Sequence, residues 1–344
     1  MGVKLKDILV KKEITFESLR GKILVVDAMN MLYQFLASIR QYDGSLLTDS
    51  KGNVTSHLSG LFHRTSKLMQ KGMKISFVFD GKAPDLKKKE RERRRRLKED
   101  AKEEYEVAKQ REDFEGMKKY AARTTVMTPE MIEDAKKLIK AMGMPIVQAP
   151  SEGEAQAAQI VKNGHAYAEI SQDQDCLLFG VERMIQNLTL TQRQKKQSKL
   201  AYETIKPQLV SLSENLNNLS IDHTQLIALG MLVGTDFNIG GIKGVGPVNA
   251  LKLVKKHGAD LDALFKEVKW DDHFDFPWTE VYYTITKMPV TNDYDLVWKP
   301  MNNDRVKEIL CSEHDFSTTR IEDSIENIEK EKSKNSQKGL GEFF

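Results

Sequence analysis

Three short apolar runs in this chain each give way to aspartate: Ile23–Val26 before Asp27, Ile75–Phe79 before Asp80, and Ala166–Ile170 shortly before Asp173 and Asp175. The runs are too short for helices and rich in strand-forming residues, so they read as strands. Helical patterning separates the first two. It covers Met29 to Arg40, then His57 to Met69 with Leu58, Leu61, Phe62 and Leu68 at core-facing spacing. Strand, helices, strand demands a crossover and therefore a parallel sheet. The expected class is α/β, with a central, mostly parallel sheet flanked by helices. In such sheets ligands gather beyond the carboxyl ends of the strands, where these aspartates stand. A lone Asp at a strand end is usually a turn former or helix cap, but three such exits carry more weight than one.

The stretch from Pro150 to Asp175 holds two carboxylate pairs, Glu152/Glu154 and Asp173/Asp175. Between them lie an Ala-rich helical run, a stop at Gly164 and the third apolar run. One pair opens the helix and the other follows the strand, so both can face the same side of the sheet. Two unit charges about 4 Å apart interact by roughly 4 kcal/mol at a surface-like dielectric. A cluster of this kind takes up protons or binds cations, and it reads as half of a site for hard divalent ions. Plainer readings remain open at this point. Ser151 and Glu154 match the S-x-x-E capping box, and Asp175 before CLLFG fits an N-cap.

No apolar run approaches the roughly 20 residues that span a bilayer, and the start, MGVKLKDILVKKE, lacks a signal-peptide core. Lys6 stands where myristoylation requires Ser or Thr. Two cysteines, Cys176 and Cys311, give neither a disulfide framework nor a zinc set. A soluble protein of a reducing, cytoplasmic compartment is expected, with no membrane partner.

Net charge is only +3, from 53 basic and 50 acidic residues. That balance hides a segregation: nine of the twelve residues from Lys87 to Lys98 are basic, and Glu99 to Glu106 is mostly acidic. Glu90 with Arg94 and Glu92 with Arg96 make i,i+4 pairs, so a solvated helix is expected. The arginines outnumber what such pairs use, which points to phosphate-backbone contact. Leu86 to about Tyr120 lacks an apolar stripe, so this segment is expected to be mobile without nucleic acid. An exposed charged helix without a ligand is the alternative.

Thr128-Pro129-Glu130 starts a helix that Gly143 ends, and Pro145-Ile146-Val147 reads as a strand. Ile185–Leu190 and Leu200–Ile205 read as strands around a polar loop, TQRQKKQSK. From Asp222 an amphipathic helix leads through Gly234-Thr235-Asp236 to GGIKGVGPVNALKLVKKHG. Gly241, Gly244 and Gly246 there are spaced as in a helix-hairpin-helix, whose glycines let the backbone reach phosphate. Trp270 to Trp298 reads as a helical layer packed on the core. After about Ser317 the chain turns polar and reads as a disordered tail. Its end brings Leu340, Phe343 and Phe344 onto one apolar face suited to a partner's groove.

The strings VVDAMN, VFDGKAP, EGEAQAA, SQDQDCLLFG, GTDFNIGGIKGVGP and QKGLGEFF together resemble the flap endonuclease family, in order and over nearly the whole chain. The layout, stopping at the aromatic pair, is similar to the archaeal form. Ala83, where many relatives have a second proline, departs from the pattern outside the carboxylate set. The resemblance implies a PIN-like nuclease fold with a helical arch and a helix-hairpin-helix. Its layout is a nuclease region over 1–100 that includes the start of the arch (about 82–125), and an intermediate region over 119–260 with the hairpin (about 222–258). A helical layer over 261–316 and a flexible tail over 317–344 complete it. It implies that Asp27, Asp80, Glu152 and Glu154 serve a first metal and Asp173, Asp175 and Asp236 a second. Mg²⁺ is the expected ion, with Mn²⁺ as substitute, and K⁺ at the hairpin is compatible. Lys87 and Arg94 match arch residues that stabilise charge on the scissile phosphate. Tyr33 matches a base-stacking aromatic, and Arg40, Arg64, Gly234, Gly244 and Gly246 match positions near DNA, as do Glu152 and Asp236. Gln337, Leu340, Phe343 and Phe344 look like a sliding-clamp peptide.

The implied activity is 5′-flap endonuclease and 5′-exonuclease cleavage of branched DNA by a monomer, in Okazaki fragment maturation and repair. A non-catalytic junction-binding clamp adaptor and a four-way-junction resolvase of the same superfamily are the alternatives.

Overall fold

The computed structural model describes residues 3–111, 113–121, 123–188, 193–195 and 202–341. In chain order, β1 (Lys12–Glu13) and β2 (Ile23–Asp27) lead into α1 (Ala28–Ser38), α2 (Ser56–Gln70) and β3 (Lys74–Phe79). The arch helices α3 (Lys87–Gln110) and α4 (Phe114–Ala121) follow, then α5 (Pro129–Ala141), β4 (Ile146–Gln148), α6 (Gly153–Lys162) and β5 (Ala168–Ile170). After β6 (Arg183–Gln186), a small hairpin of β7 (Arg193–Lys195) and β8 (Tyr202–Thr204) precedes β9 (Gln208–Ser211). The rest is helical: α7 (Leu212–Leu219), α8 (His223–Val233), α9 (Pro247–His257), α10 (Leu261–Glu267), α11 (Trp278–Thr286), α12 (Asn303–Lys307) and α13 (Thr318–Gly341).

The main sheet has seven strands in the order β1-β9-β6-β5-β2-β3-β4. From β6 to β4 every neighbouring pair is parallel, and β9 and β1 close one edge antiparallel. Strand alternation divides the core. Leu24, Val26, Ile75, Phe77 and Phe79 pack toward α1, α2, α5, α12 and the start of α13. Val25 and Val78 pack toward α6, α8, α9, α10 and α11. The expected α/β architecture is therefore a sheet between two helical layers. Local chemistry sets the helix starts: Thr128 accepts the Met131 amide at 3.3 Å, and Asp222 with Gln225 forms a reciprocal capping box.

The structure departs from the sequence reading in four places. The chain after Ser317 is not disordered over its described part: α13 buries Ile321, Ile325 and Ile328, a helical spacing that a polar average conceals. The supposed polar loop contains β7, paired antiparallel with β8, and the strand expected over Ile185–Leu190 is centred earlier, on β6. The arch segment is the expected helix, over 24 residues, but its foot is tied by ion pairs to Glu152 and Asp236 of other elements, which the sequence reading did not foresee. The aromatic layer is helical only to Thr286. Residues 288–302 then run as an irregular strap pinned by Gln156 to Thr291 (2.7 and 2.8 Å) and by the Trp298 indole to the Ile75 carbonyl (2.9 Å).

Because Ile321 is 1% exposed, Ile321→Ala should cost about 2–5 kcal/mol in urea-induced unfolding. A change within error would mean that α13 does not contribute to the core.

Candidate active site

Four adjacent parallel strands, β5, β2, β3 and β4, deliver acids to one rim. Asp27 is the last residue of β2 and Asp80 follows β3 directly, while Glu152 follows β4 and Asp173 and Asp175 follow β5. Glu154 lies in the first turn of α6, and Asp236 arrives from the loop after α8. The Gly153 amide donates to Asp80 Oδ1 at 2.7 Å. A Cβ at Gly153 would stand 2.7 Å from that oxygen and 3.7 Å from Asp27 Oδ1, so glycine is what lets the helix start approach. Asn30 joins two exits, its backbone amide donating to Asp27 at 3.1 Å and its side chain to Asp173 at 2.7 Å. The Val3 amide donates to Asp175 at 2.6 Å.

The helix-cap readings separate here. Asp27 does cap α1. The Ser151/Glu154 capping box is absent: Ser151 donates to the Lys82 carbonyl at 2.8 Å, and Glu152 at the cap position makes no cap bond. Asp175 does not cap the turn that follows it.

Asp236 owes its place to a turn locked by Asn238, whose side chain accepts from Thr235 Oγ1 at 2.8 Å and donates to the Met231 carbonyl at 2.7 Å. Gly234 just before it has φ +107°, and a Cβ there would stand 2.6 Å from the Gly241 amide nitrogen. Glu152, Glu154, Asp175 and Asp236 line one pocket with Lys87, walled by Leu178, Phe179 and Phe237.

The acids act on one another. Burial, then Asp80, pushes Asp27 up to about 8. Burial, then Asp236 and Asp173, pushes Asp175 up to about 7, against the Val3 amide. Glu154 is raised well above the carboxylate range by burial and by Asp175, Asp27 and Asp173. Burial also raises Asp80 and Glu152, with Lys87 pulling both the other way.

Two cations from α3 answer this charge. Lys87 forms a short ion pair with Glu152 and stands 3.6 Å from Asp236. Arg94 Nη2 reaches both oxygens of Asp236 at 2.8 and 2.7 Å, and its Nε donates to Glu90 at 2.6 Å. Glu90 is 2% exposed and also holds Arg93. Sequence reasoning paired Glu90 with Arg94 but gave no sign of its burial, and it missed Asn30, Val3 and Glu169.

All converging donors are carboxylate oxygens, which fit a hard divalent ion. The nearby Cys176 is kept a thiol by burial and by the surrounding acids. Among the described residues no three such groups are spaced to hold an ion, and Lys87 and Arg94 engage Glu152 and Asp236.

The residues matched to DNA contacts are spread around this rim. Tyr33 on α1 is partly exposed, with Lys98 Nζ 5.2 Å from its ring centre. Arg40 is engaged within the protein, donating to the Gly44 carbonyl at 2.8 Å and to Thr125 at 2.5 Å. Arg64 is partly buried on α2. At the hairpin Gly244 has φ +83° and open space where a side chain would be, while Gly246 caps α9 with an ordinary φ of −88°. Gln337 and Leu340 fall on the last turns of α13, where side chains are outside the described residues, as are Phe343 and Phe344 altogether.

The raised acids have a thermodynamic signature. An unfolded Asp titrates near ~3.9, so up to about pH 7 and 8 the native state holds protons at Asp175 and Asp27 that the unfolded chain has lost. Stability then falls as pH rises. His57, pushed down to about 4 by burial, works in the opposite sense but only below ~6.5. Calorimetry in EDTA should therefore show stability falling between pH 6.5 and 8.5, by roughly 1 kcal/mol per pH unit, with Asp27→Asn flattening the slope. A flat parent profile would contradict the electrostatics described.

Comparison with known proteins agrees with this geometry. Residues 1–101 match the XPG N-terminal domain and residues 143–236 the XPG I-region. The chain is 46% identical to flap endonuclease 1 of Pyrococcus furiosus over 344 residues, covering 100% of this chain and 99% of the relative. It is 45% identical to that of Thermococcus onnurineus over 348 residues, with coverage of 100% and 99%. Among solved structures it is similar to flap endonuclease-1 from Methanococcus jannaschii, with a TM-score of 0.75, 39% identity and coverage of 97% and 100% of the two chains. The catalytic core of Rad2 in complex with DNA substrate shares the fold at a TM-score of 0.69 and 22% identity, covering 95% and 100%. Among the described residues no helix is long and apolar enough to cross a membrane. With an acidic rim, a basic arch and full-length identity near one half, this chain belongs to the flap endonuclease family, in its archaeal form, and is a structure-specific nuclease that hydrolyses DNA phosphodiester bonds.

Proposed function

We propose that the seven acids hold two Mg²⁺ ions, Asp27, Asp80, Glu152 and Glu154 serving one and Asp173, Asp175 and Asp236 the other, with Mn²⁺ as a substitute. When bound, such ions supply the positive charge that acidifies an attacking water and steadies a leaving 3′ oxygen. The observation that carries the reading is the meeting of these acids with Lys87 and Arg94 at one rim.

The chain's own groups divide the remaining work. Lys87 and Arg94 turn from the acids to the scissile phosphate and stabilise its charge in the pentavalent state. Glu90 keeps Arg94 aimed as it does so. Tyr33 stacks on a base of the unpaired end, while Gly244, Gly246 and the α9 N-terminus take the duplex backbone. Hairpin carbonyls hold K⁺. The result reads a junction by shape and leaves a 5′-phosphate and a 3′-hydroxyl. The enzyme acts as a monomer at the nucleoid, and Gln337, Leu340, Phe343 and Phe344 dock on a ring-shaped sliding clamp.

With labelled 5′-flap, 3′-flap and plain duplex DNA, the parent should cut the 5′ flap only when Mg²⁺ is present. Asp80→Ala and Asp173→Ala should bind the flap but leave it uncut, and Arg94→Ala should lose at least tenfold more in turnover than in binding, a gap of ~1.4 kcal/mol. Normal cleavage by both acid variants would refute the ion assignment. Equal losses in turnover and binding would reduce Arg94 to a backbone contact.

Removing residues 337–344 should abolish stimulation by an archaeal clamp and leave basal cleavage unchanged. Persistent stimulation would end the tail assignment.

A further inference from the structure

Glu169 lies at the centre of β5 with no solvent exposure, and among the described residues neither of its carboxyl oxygens has a hydrogen-bond partner. Its strand neighbours Ala168 and Ile170 belong to the core on one side of the sheet, so Glu169 points to the other. In register it stands beside Val25 of β2 and Met184 of β6, both part of the core beneath α6. Asp27 lies two residues beyond Val25 on the same strand and so shares that face, and α6 carries Glu154 across it. Glu169 is thus set one step inside the acid rim. Burial, then Asp27, raises the Glu169 carboxyl well above the carboxylate range, and Glu169 is one of the acids that raise Glu154.

A buried carboxylate without a donor is costly, and the fold does not require one here, because a β-branched apolar residue suits this strand position. The neighbouring Cys176 thiol is already spent, on the Asp173 carbonyl at 3.4 Å and Met184 Sδ at 3.2 Å. Among the described residues the fold leaves Glu169 without a hydrogen-bond partner, so a partner from outside the chain fits here. We propose that Glu169 is an eighth acid of the metal centre, an outer acceptor on its inner side for water carried by the ion. This rests on the metal reading given above. Mg²⁺ retains several waters when bound, and each needs acceptors. Outer partners of this kind typically set metal affinity by about 10- to 100-fold.

The test is Mn²⁺ binding to DNA-free protein, followed by electron paramagnetic resonance of the free ion, for the parent, Glu169→Gln, Glu169→Ala and Asp173→Ala. Both Glu169 variants should weaken Mn²⁺ about tenfold, while their affinity for a 5′-flap duplex in EDTA stays within about twofold of the parent. If they bind Mn²⁺ like the parent and Asp173→Ala does not, this inference falls and the metal reading stands. If Asp173→Ala also binds like the parent, or the parent binds no Mn²⁺, both fall. Glu169→Val, a good strand residue, replaces any variant that fails to fold, and its own failure to fold would show that the acid serves the fold and overturn the proposal.

Discussion

Repulsion among carboxylates at one sheet rim is the constraint around which this molecule is arranged. The parallel topology makes it unavoidable, since four neighbouring strands end on the same side and each delivers an acid there. The protein meets the cost in three ways. Backbone amides of Val3, Asn30 and Gly153 donate to individual acids. Buried members keep their protons well above the ordinary range. Lys87 and Arg94 bring in positive charge from a helix that belongs to neither core layer. Each device is local, and together they hold the acids in place.

That last device explains the shape of α3. A helix with so few apolar side chains packs only lightly, burying Ala101 and Ala108 where α4 brings Met117 and Ala121. Its foot is fixed by Glu90, which is buried and grips Arg93 and Arg94, and by the ion pairs to Glu152 and Asp236.

Much of this was readable from residues alone. The strand exits at Asp27, Asp80 and Asp173 stand out because a short apolar run followed by an acid has few other meanings in a parallel sheet. Asp236 does not, because Gly-Thr-Asp looks like any helix-to-loop turn, and its placement depends on Asn238 bonding back to Thr235 and Met231. Glu169 is hidden for another reason: only strand register assigns it a face, and register belongs to the sheet and not to the run. In α13 the isoleucines at 321, 325 and 328 are correctly spaced for a helix, but they are diluted by charged neighbours, so composition outweighed periodicity.

The counter-charges at the foot of α3 also bear on how the protein matures. Small zinc domains stay unfolded until their ion arrives, because unliganded donors cannot be gathered without it. Here the polypeptide supplies counter-charge of its own, Lys87 to Glu152 and Arg94 to Asp236, so folding can gather these acids with groups already in the chain. The acids are thus set in a finished scaffold by groups of the chain itself, so their convergence does not wait on any outside partner.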